Sequence, residues 1–418
     1  MKVNPFELKP KKPDSIIMSL KDLSVKPYDK NAVSPYTKTR CILMNGTEYE
    51  ATWCKHHFNR HYPDNDARRE VALIRRSEQQ QQKLISLLKP IDETLLETTI
   101  GYEQLAVDLT AFLAKRATDK NVKKALDFAL LEDFDHLYRY ANMLEMDQGI
   151  HAERLVGAYT EIMPGRPTIA HHRHPFDTVK PSINNKTADA ITKLDVGIIT
   201  AAEQQTMNYY MNISQFYKTQ KGRELYAEIG MVEEDHVTQY GSLIDTKATI
   251  FENLLMHEYT ECYLYYSMYE DESDAYIKKI WYMLFEQEVS HLHSAVKLLN
   301  KYEKKSWDEV IPDGNFPELL KLQENKSYVR EVLAKTVTNT GDREGYISVD
   351  KLGSNADFFK YQKKFNSKPE QERGQTVIED HIKEFKKDYR FQEKDHPVKC
   401  LRSRTEDNYT LGTKPKTC

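Results

Sequence analysis

Four places in the chain set an acid three residues before a histidine: Asp133 and His136, Glu233 and His236, Glu288 and His291, Glu393 and His396. Composition alone yields roughly two such matches among 418 residues with 64 acids and 14 histidines. Residues three apart share a helix face, so each pair could present a carboxylate and an imidazole to one metal pair. A second regularity discriminates between the matches. Glu103, Glu203 and Glu258 each stand 30 residues before a motif acid, whereas the residue 30 before Glu393 is Lys363. The fourth match is therefore the kind that chance supplies. Glu48, Glu78 and Gln81 repeat the spacing in a degenerate form, with Gln in the place of His.

A hairpin of two helices returns to its starting height when its turn lies midway, which gives the 30-residue spacing a geometric meaning. The midpoints are Thr118, Lys218 and Ser273, and Pro63 for the degenerate pair. Each falls in a stretch of breaker composition: KRATDKN (115–121), KTQKG (218–222), EDESDA (270–275) and HYPDND (61–66). Each upstream Glu is thus expected to face its acid and His across a hairpin. Sliding the chain on itself by 155 residues superposes Glu78 on Glu233, Glu103 on Glu258, Asp133 on Glu288 and His136 on His291. This register predicts two related halves.

The elements that would carry these residues are helices. Only 15 glycines and 16 prolines, with 30% charged residues, favour long helices over a sandwich or barrel. The expected division is an extended, basic arm (1–42), a first helical half (43–162) whose first helix begins near Thr47, a linker (163–192), a second half (193–305) and a C-terminal extension (306–418). Further breaks are expected at LLKPID (87–92) and IDTKAT (244–249), and a helical stretch at 318–335. A net charge of -4 gives no drive toward nucleic acid or an anionic membrane. No apolar run approaches a bilayer span, and mean hydropathy is -0.70. The start lacks the apolar stretch of a signal peptide, so a cytoplasmic protein is expected. Cys41, Cys54, Cys262, Cys400 and Cys418 form no CxxC pair and read as free thiols.

On Glu203, Glu233-x-x-His236, Glu258 and Glu288-x-x-His291 the chain resembles the ferritin-like di-iron carboxylate superfamily, which includes rubrerythrin and bacterioferritin. The resemblance covers about 47–302 and implies an all-α fold of ferritin-like bundles, here two related four-helix halves with the arm and extension outside them. It implies two iron ions per site, or manganese or a mixed pair, at one or two sites per chain. Glu203 and Glu258 would be terminal carboxylates, Glu233 and Glu288 bridging ones, and His236 and His291 terminal nitrogen ligands. Glu103, Asp133 and His136 would be the first-half ligands, with Glu48, Glu78 and Gln81 the weaker set. No catalytic residue beyond the ligands is implied.

The implied activity is a dimetal oxidoreductase reducing dioxygen or peroxide, with iron oxidation and a non-enzymatic scaffold as alternatives. An external electron donor would be needed, because rubredoxin-like CxxC pairs are lacking; a homo-oligomer is expected. Hairpins are expected to pair between halves, Glu103/Asp133/His136 with Glu258/Glu288/His291, and Glu48/Glu78 with Glu203/Glu233/His236. Pairing across a homodimer is the other solution. His171, His172 and His174 are read as part of a loop capping the bundle, His56, His57 and His61 as structural, His257 and His293 as lying behind the ligands or on the surface, and the tyrosines near the ligands as core packing.

Overall fold

The structure, a computed structural model, describes residues 3–157, 159–166, 168–365, 373–387 and 389. It is mostly helical. The long helices are α1 (Pro35–His61), α2 (Asn65–Leu87), α3 (Leu95–Arg116), α4 (Lys120–Gln148), α7 (Ala190–Ile213), α8 (Gln220–Ser242), α9 (Ile250–Asp271) and α10 (Ala275–Glu303). Single turns α5 (Ala152–Leu155) and α6 (Thr168–His171) lie between α4 and α7. Later come α11 (Lys326–Thr336), strands β1 (Asn339–Asp342) and β2 (Gly345–Ser348), α12 (Asp357–Phe365) and α13 (Arg373–Phe385).

The helix boundaries follow from local chemistry. Thr94 and Thr249 form capping boxes with Glu97 and Glu252, starting α3 and α9. Asp119 and Asp274 accept from the first backbone amides of α4 and α10. Every expected break, from HYPDND to EDESDA, falls between two of these helices. The start of α1 differs from expectation by twelve residues. Pro35 sits in its first turn, where a missing N–H costs nothing, behind Ser34, whose hydroxyl accepts from Tyr36 N. Asn45-Gly46 is therefore mid-helix. A Cβ on Gly46 would lie 2.9 Å from Gln205 Oε1, so this glycine permits close helix packing rather than a turn.

Two compact units organise the chain, and they interleave. The first comprises the described residues of Met1–Glu93, Ser182–Gln205 and Ile244–Leu322; the second, those of Thr94–Pro181, Thr206–Leu243 and Gln323–Cys418. This corrects the expected division at 163–192. In the first unit the α1–α2 hairpin packs on the α9–α10 hairpin, α1 against α9 and α2 against α10. The arm, irregular but for short 3-10 turns up to Ser34, lies against the first unit. Phe6 stacks on Trp307 with ring centroids 4.1 Å apart, and Lys11 N donates to Ser290 Oγ at 3.0 Å.

In the second unit α3 and α4 pack together and α4 lies against α8. The core joins Leu96, Ile100, Val107, Leu130, Phe134 and Leu137 to Tyr210, Tyr226 and Ile229. The C-terminal extension completes it: Val329 and Leu333 of α11 and Val377 and Ile378 of α13 are buried in the same cluster. Residues 318–325, expected to be helical, are not. The β1–β2 hairpin, antiparallel with Asn339 opposite Ser348, is an element the helical reading did not foresee. The linker is also folded. Arg166, His171, His172 and Arg173 are buried, and the Arg166 guanidinium lies 4.0 Å from the centroid of the Phe128 ring. Among the described residues no helix is long and apolar enough to cross a membrane.

Candidate metal centres

In the first unit α1 supplies Glu48, α2 supplies Glu78 and Gln81, α9 supplies Glu258, and α10 supplies Glu288 and His291. The five other than His291 are fully buried, and His291 is 2% exposed. Glu78, Glu258, Glu288 and His291 each offer one ligand atom, all within 4.8 Å of one another. Gln81 Nε2 donates to Glu288 Oε1 at 2.7 Å, and His291 Nδ1 lies 3.1 Å from both Glu288 oxygens. Tyr265 donates its phenolic hydrogen to Glu48. His291 Nε2, Glu48 Oε2 and Glu78 Oε2 are buried and make no hydrogen bond among the described residues. Buried polar atoms normally find partners, so these three could take a further ligand.

The electrostatics point the same way. Burial, reinforced by neighbouring carboxylates, pushes the Glu48, Glu78 and Glu288 carboxyls well above the ordinary carboxylate range. Glu261, one turn after Glu258, is raised for the same reason to about 7. The cluster holds one permanent cation. Lys55 Nζ donates to Glu78 and stands 2.9 Å from Glu258 Oε1. Burial works against the Lys55 charge, but Glu258 and Glu78 outweigh it and hold the ammonium protonated. Glu258 is the converse case: burial raises it, and Lys55, His291 and His257 together bring it below the usual value. Besides Lys55 the carboxyls face His257, where burial works against the charge but Glu261 outweighs it and brings the imidazole up to about 9, and carboxylate with imidazole is a donor set for divalent iron or manganese.

In the second unit Glu103 comes from α3, Asp133 and His136 from α4, and Glu233 and His236 from α8. Ligand atoms of Glu103, His136 and Glu233 lie within 4.8 Å of one another. His136 Nδ1 is 3.0 Å from Glu233 Oε1, and its Nε2 makes no hydrogen bond among the described residues. His236 Nδ1 faces Glu233 Oε2 at 3.2 Å and Asp133 Oδ1 at 3.5 Å. Its Nε2 is 2.7 Å from Glu132 Oε2, and Glu132 is held in turn by Arg173 Nη1 at 3.1 Å. This imidazole–carboxylate–guanidinium chain fixes the His236 ring with Nδ1 inward, the arrangement that orients ligating histidines. Burial raises Glu233, but the hydrogen bonds from His136 and His236 outweigh it and take the carboxyl down to about 2. Tyr210 donates to Glu103.

The hairpins of Glu48/Glu78 and Glu258/Glu288 thus share the first unit, and those of Glu103/Asp133 and Glu233 share the second. This corrects the expected partners. Ligand spacing records which helices form a hairpin; it carries no information on which hairpin faces fit together, a matter of apolar complementarity. Glu203 is buried on α7, within the stretch of that helix belonging to the first unit. Glu48 lies mid-helix on α1 rather than near a helix start.

Some functional neighbours escaped the sequence reading. Lys55 is one of them, although it lies two turns after Glu48 and so on the same face. Glu261 lies one turn after Glu258, and Glu132 immediately precedes Asp133. His257, expected behind the ligands or on the surface, is partly exposed and lies behind Glu258, with Nδ1 3.4 Å from Glu50 Oε2 and Nε2 3.4 Å from Glu261 Oε2. His56, His57 and His61 are exposed. His171 and His172 are buried within the second unit, where His171 Nε2 contacts Arg166 O at 2.6 Å and His172 Nε2 lies 3.4 Å from Glu228 Oε1. Cys41, Cys54 and Cys262 are free thiols; Cys400, Cys418 and the Glu393/His396 match lie outside the described residues.

No family model, no curated protein and no solved structure matches this chain.

Proposed function

We propose that the chain is a ferritin-like dimetal carboxylate oxidoreductase that reduces dioxygen or peroxide with electrons from an external donor. The observation that carries this reading is the convergence of three buried carboxylates and a buried imidazole with a spare nitrogen, Glu78, Glu258, Glu288 and His291, within 4.8 Å. The second cluster, with Glu103, Asp133, His136, Glu233 and His236, repeats its chemistry. Iron, manganese or a mixed pair held there would supply one-electron chemistry to a bound oxygen species, and hard carboxylate ligands favour its oxidised state. The chain's own groups hold and orient: Gln81 aims Glu288, Glu132 aims His236, and Tyr265 and Tyr210 donate hydrogen bonds to Glu48 and Glu103.

We read the two clusters as products of repeated hairpin duplication. Glu48, Glu78 and Gln81 precede Glu103, Asp133 and His136 by 55 residues, and Glu203, Tyr210, Glu233 and His236 precede Glu258, Tyr265, Glu288 and His291 by the same 55. The equivalent tyrosines make equivalent bonds, Tyr210 to Glu103 and Tyr265 to Glu48. Lys55 favours a second reading for the first unit alone, in which its ammonium takes the place of one metal ion. Metal content by plasma mass spectrometry tests the proposal. Glu288→Ala should empty the first unit and leave the second loaded, and His136→Ala should do the reverse. Metal-free protein that also refuses iron or manganese on anaerobic reconstitution would overturn it and leave a scaffold.

A further inference from the structure

The first unit contains a cavity of about 330 Å³ separate from the carboxylate cluster but sharing a wall with it. Its sides are apolar: Trp53 and Phe58 from α1, Val196 and Ala201 from α7, Leu254 and Leu264 from α9. The α9 lining runs from Ile250 to Leu264, a span of about 21 Å at 1.5 Å per residue, so the space is elongated. Trp53 is 54% and Ile244 and Ile250 are each 39% exposed, and Asn185, Lys193 and Asp245 line the cavity with them. Lys55, His257 and Glu261 also line it, and Lys55 is the same side chain that binds Glu78 and Glu258. Glu261 is fully buried, and its Oε1 makes no hydrogen bond among the described residues.

An elongated apolar cavity with a few convergent polar groups is the form of a small-molecule site. A buried carboxylate oxygen lacking a donor asks for a hydroxyl. We propose that this cavity binds an elongated aliphatic alcohol, tail toward Trp53 and Ile244, hydroxyl against Glu261 and His257. The binding stands whether or not metal is bound; that the occupant is a substrate of the neighbouring carboxylate cluster rests on the function proposed above.

Gly197 gives a clean probe, because a Cβ there meets only Thr260, at 3.7 and 3.9 Å. A larger side chain at Gly197 would enter the cavity, and replacing a helical glycine does not weaken the helix. The test is calorimetric titration of the full chain with 1-octanol, with and without prior treatment with a chelator. Wild type should bind it in both states, and octyl methyl ether, which has no hydroxyl to donate to Glu261, should bind at least tenfold more weakly. Gly197→Leu should raise the octanol Kd at least tenfold with unchanged circular dichroism and metal content, and Ala201→Phe, from another turn of α7, should do the same. No binding by wild type, or an unchanged Kd in a folded Gly197→Leu or Ala201→Phe protein, overturns the proposal. Binding by a chain that takes up no metal keeps the cavity and sinks the dimetal reading instead.

Discussion

Replacing Lys55 by Met gives a direct measure of how far the first unit's carboxylate cluster depends on positive charge. The ammonium is 2% exposed and serves two fully buried carboxylates, Glu78 and Glu258. The Met side chain fills similar space, so the loss is chiefly electrostatic. Removing one partner of a buried pair costs about 3–5 kcal/mol, because the other charge is left uncompensated. In chelator-treated protein the first unit of Lys55→Met should be less stable than wild type by about that amount, with Glu78 and Glu258 escaping part of the penalty by taking up protons. A divalent ion offers the same carboxylates a replacement cation, so manganese or ferrous iron should stabilise the variant more than wild type. Urea denaturation, followed by circular dichroism with and without metal, reads both effects. Equal stability of variant and wild type under chelator, or equal stabilisation of the two by metal, would refute the reasoning.

Glu132→Gln should loosen the His236 ring and lower metal affinity in the second unit by about 10- to 100-fold, measured by competition with a chelating dye, with the first unit unaffected. Gly46→Val should cost about 1–3 kcal/mol of stability in urea, because its Cβ would meet Gln205 side-chain atoms at 2.9–3.0 Å. Lys180 donates to the carbonyls of Asp177 at 2.7 Å and Arg343 at 2.8 Å, yet burial, with Arg173 adding, brings its pKa down to about 8. Between that value and its ordinary 10.5 the unfolded chain binds the proton more readily, so this group's contribution to stability rises with pH across the window. The rise should be missing in Lys180→Met when the two proteins are compared by urea denaturation from pH 8 to 10.5.

The hairpins were legible because their turns are written in composition, and because acid and histidine keep helical spacing inside each arm. Glu288, His291, Glu258, His136 and Glu233 accordingly lie in buried clusters. What stayed hidden depends on long-range fit. Nothing local announces that α1–α2 packs on α9–α10, since each hairpin offers a similar apolar face and a similar row of acids. Pro35 misled because a proline that opens a helix and one that interrupts a loop look alike without the structure around them. Gly46 misled similarly, its role being set by Gln205 far along the chain. Lys55 is the most instructive omission: a lysine on an acidic face reads as solvated until the face is known to be buried.

The interleaving of the two units has a consequence for biosynthesis. Helix α2 ends at Leu87, and its partner hairpin is not complete until Glu303. Those 216 residues emerge over about 10–40 s at roughly 5–20 residues per second. Throughout that delay the first hairpin holds Glu48, Lys55 and Glu78 on a face with no cover, where water can solvate them. The charged residues that are costly in the finished interior would keep the waiting hairpin soluble on the ribosome while α3, α4 and α8 of the second unit are being made.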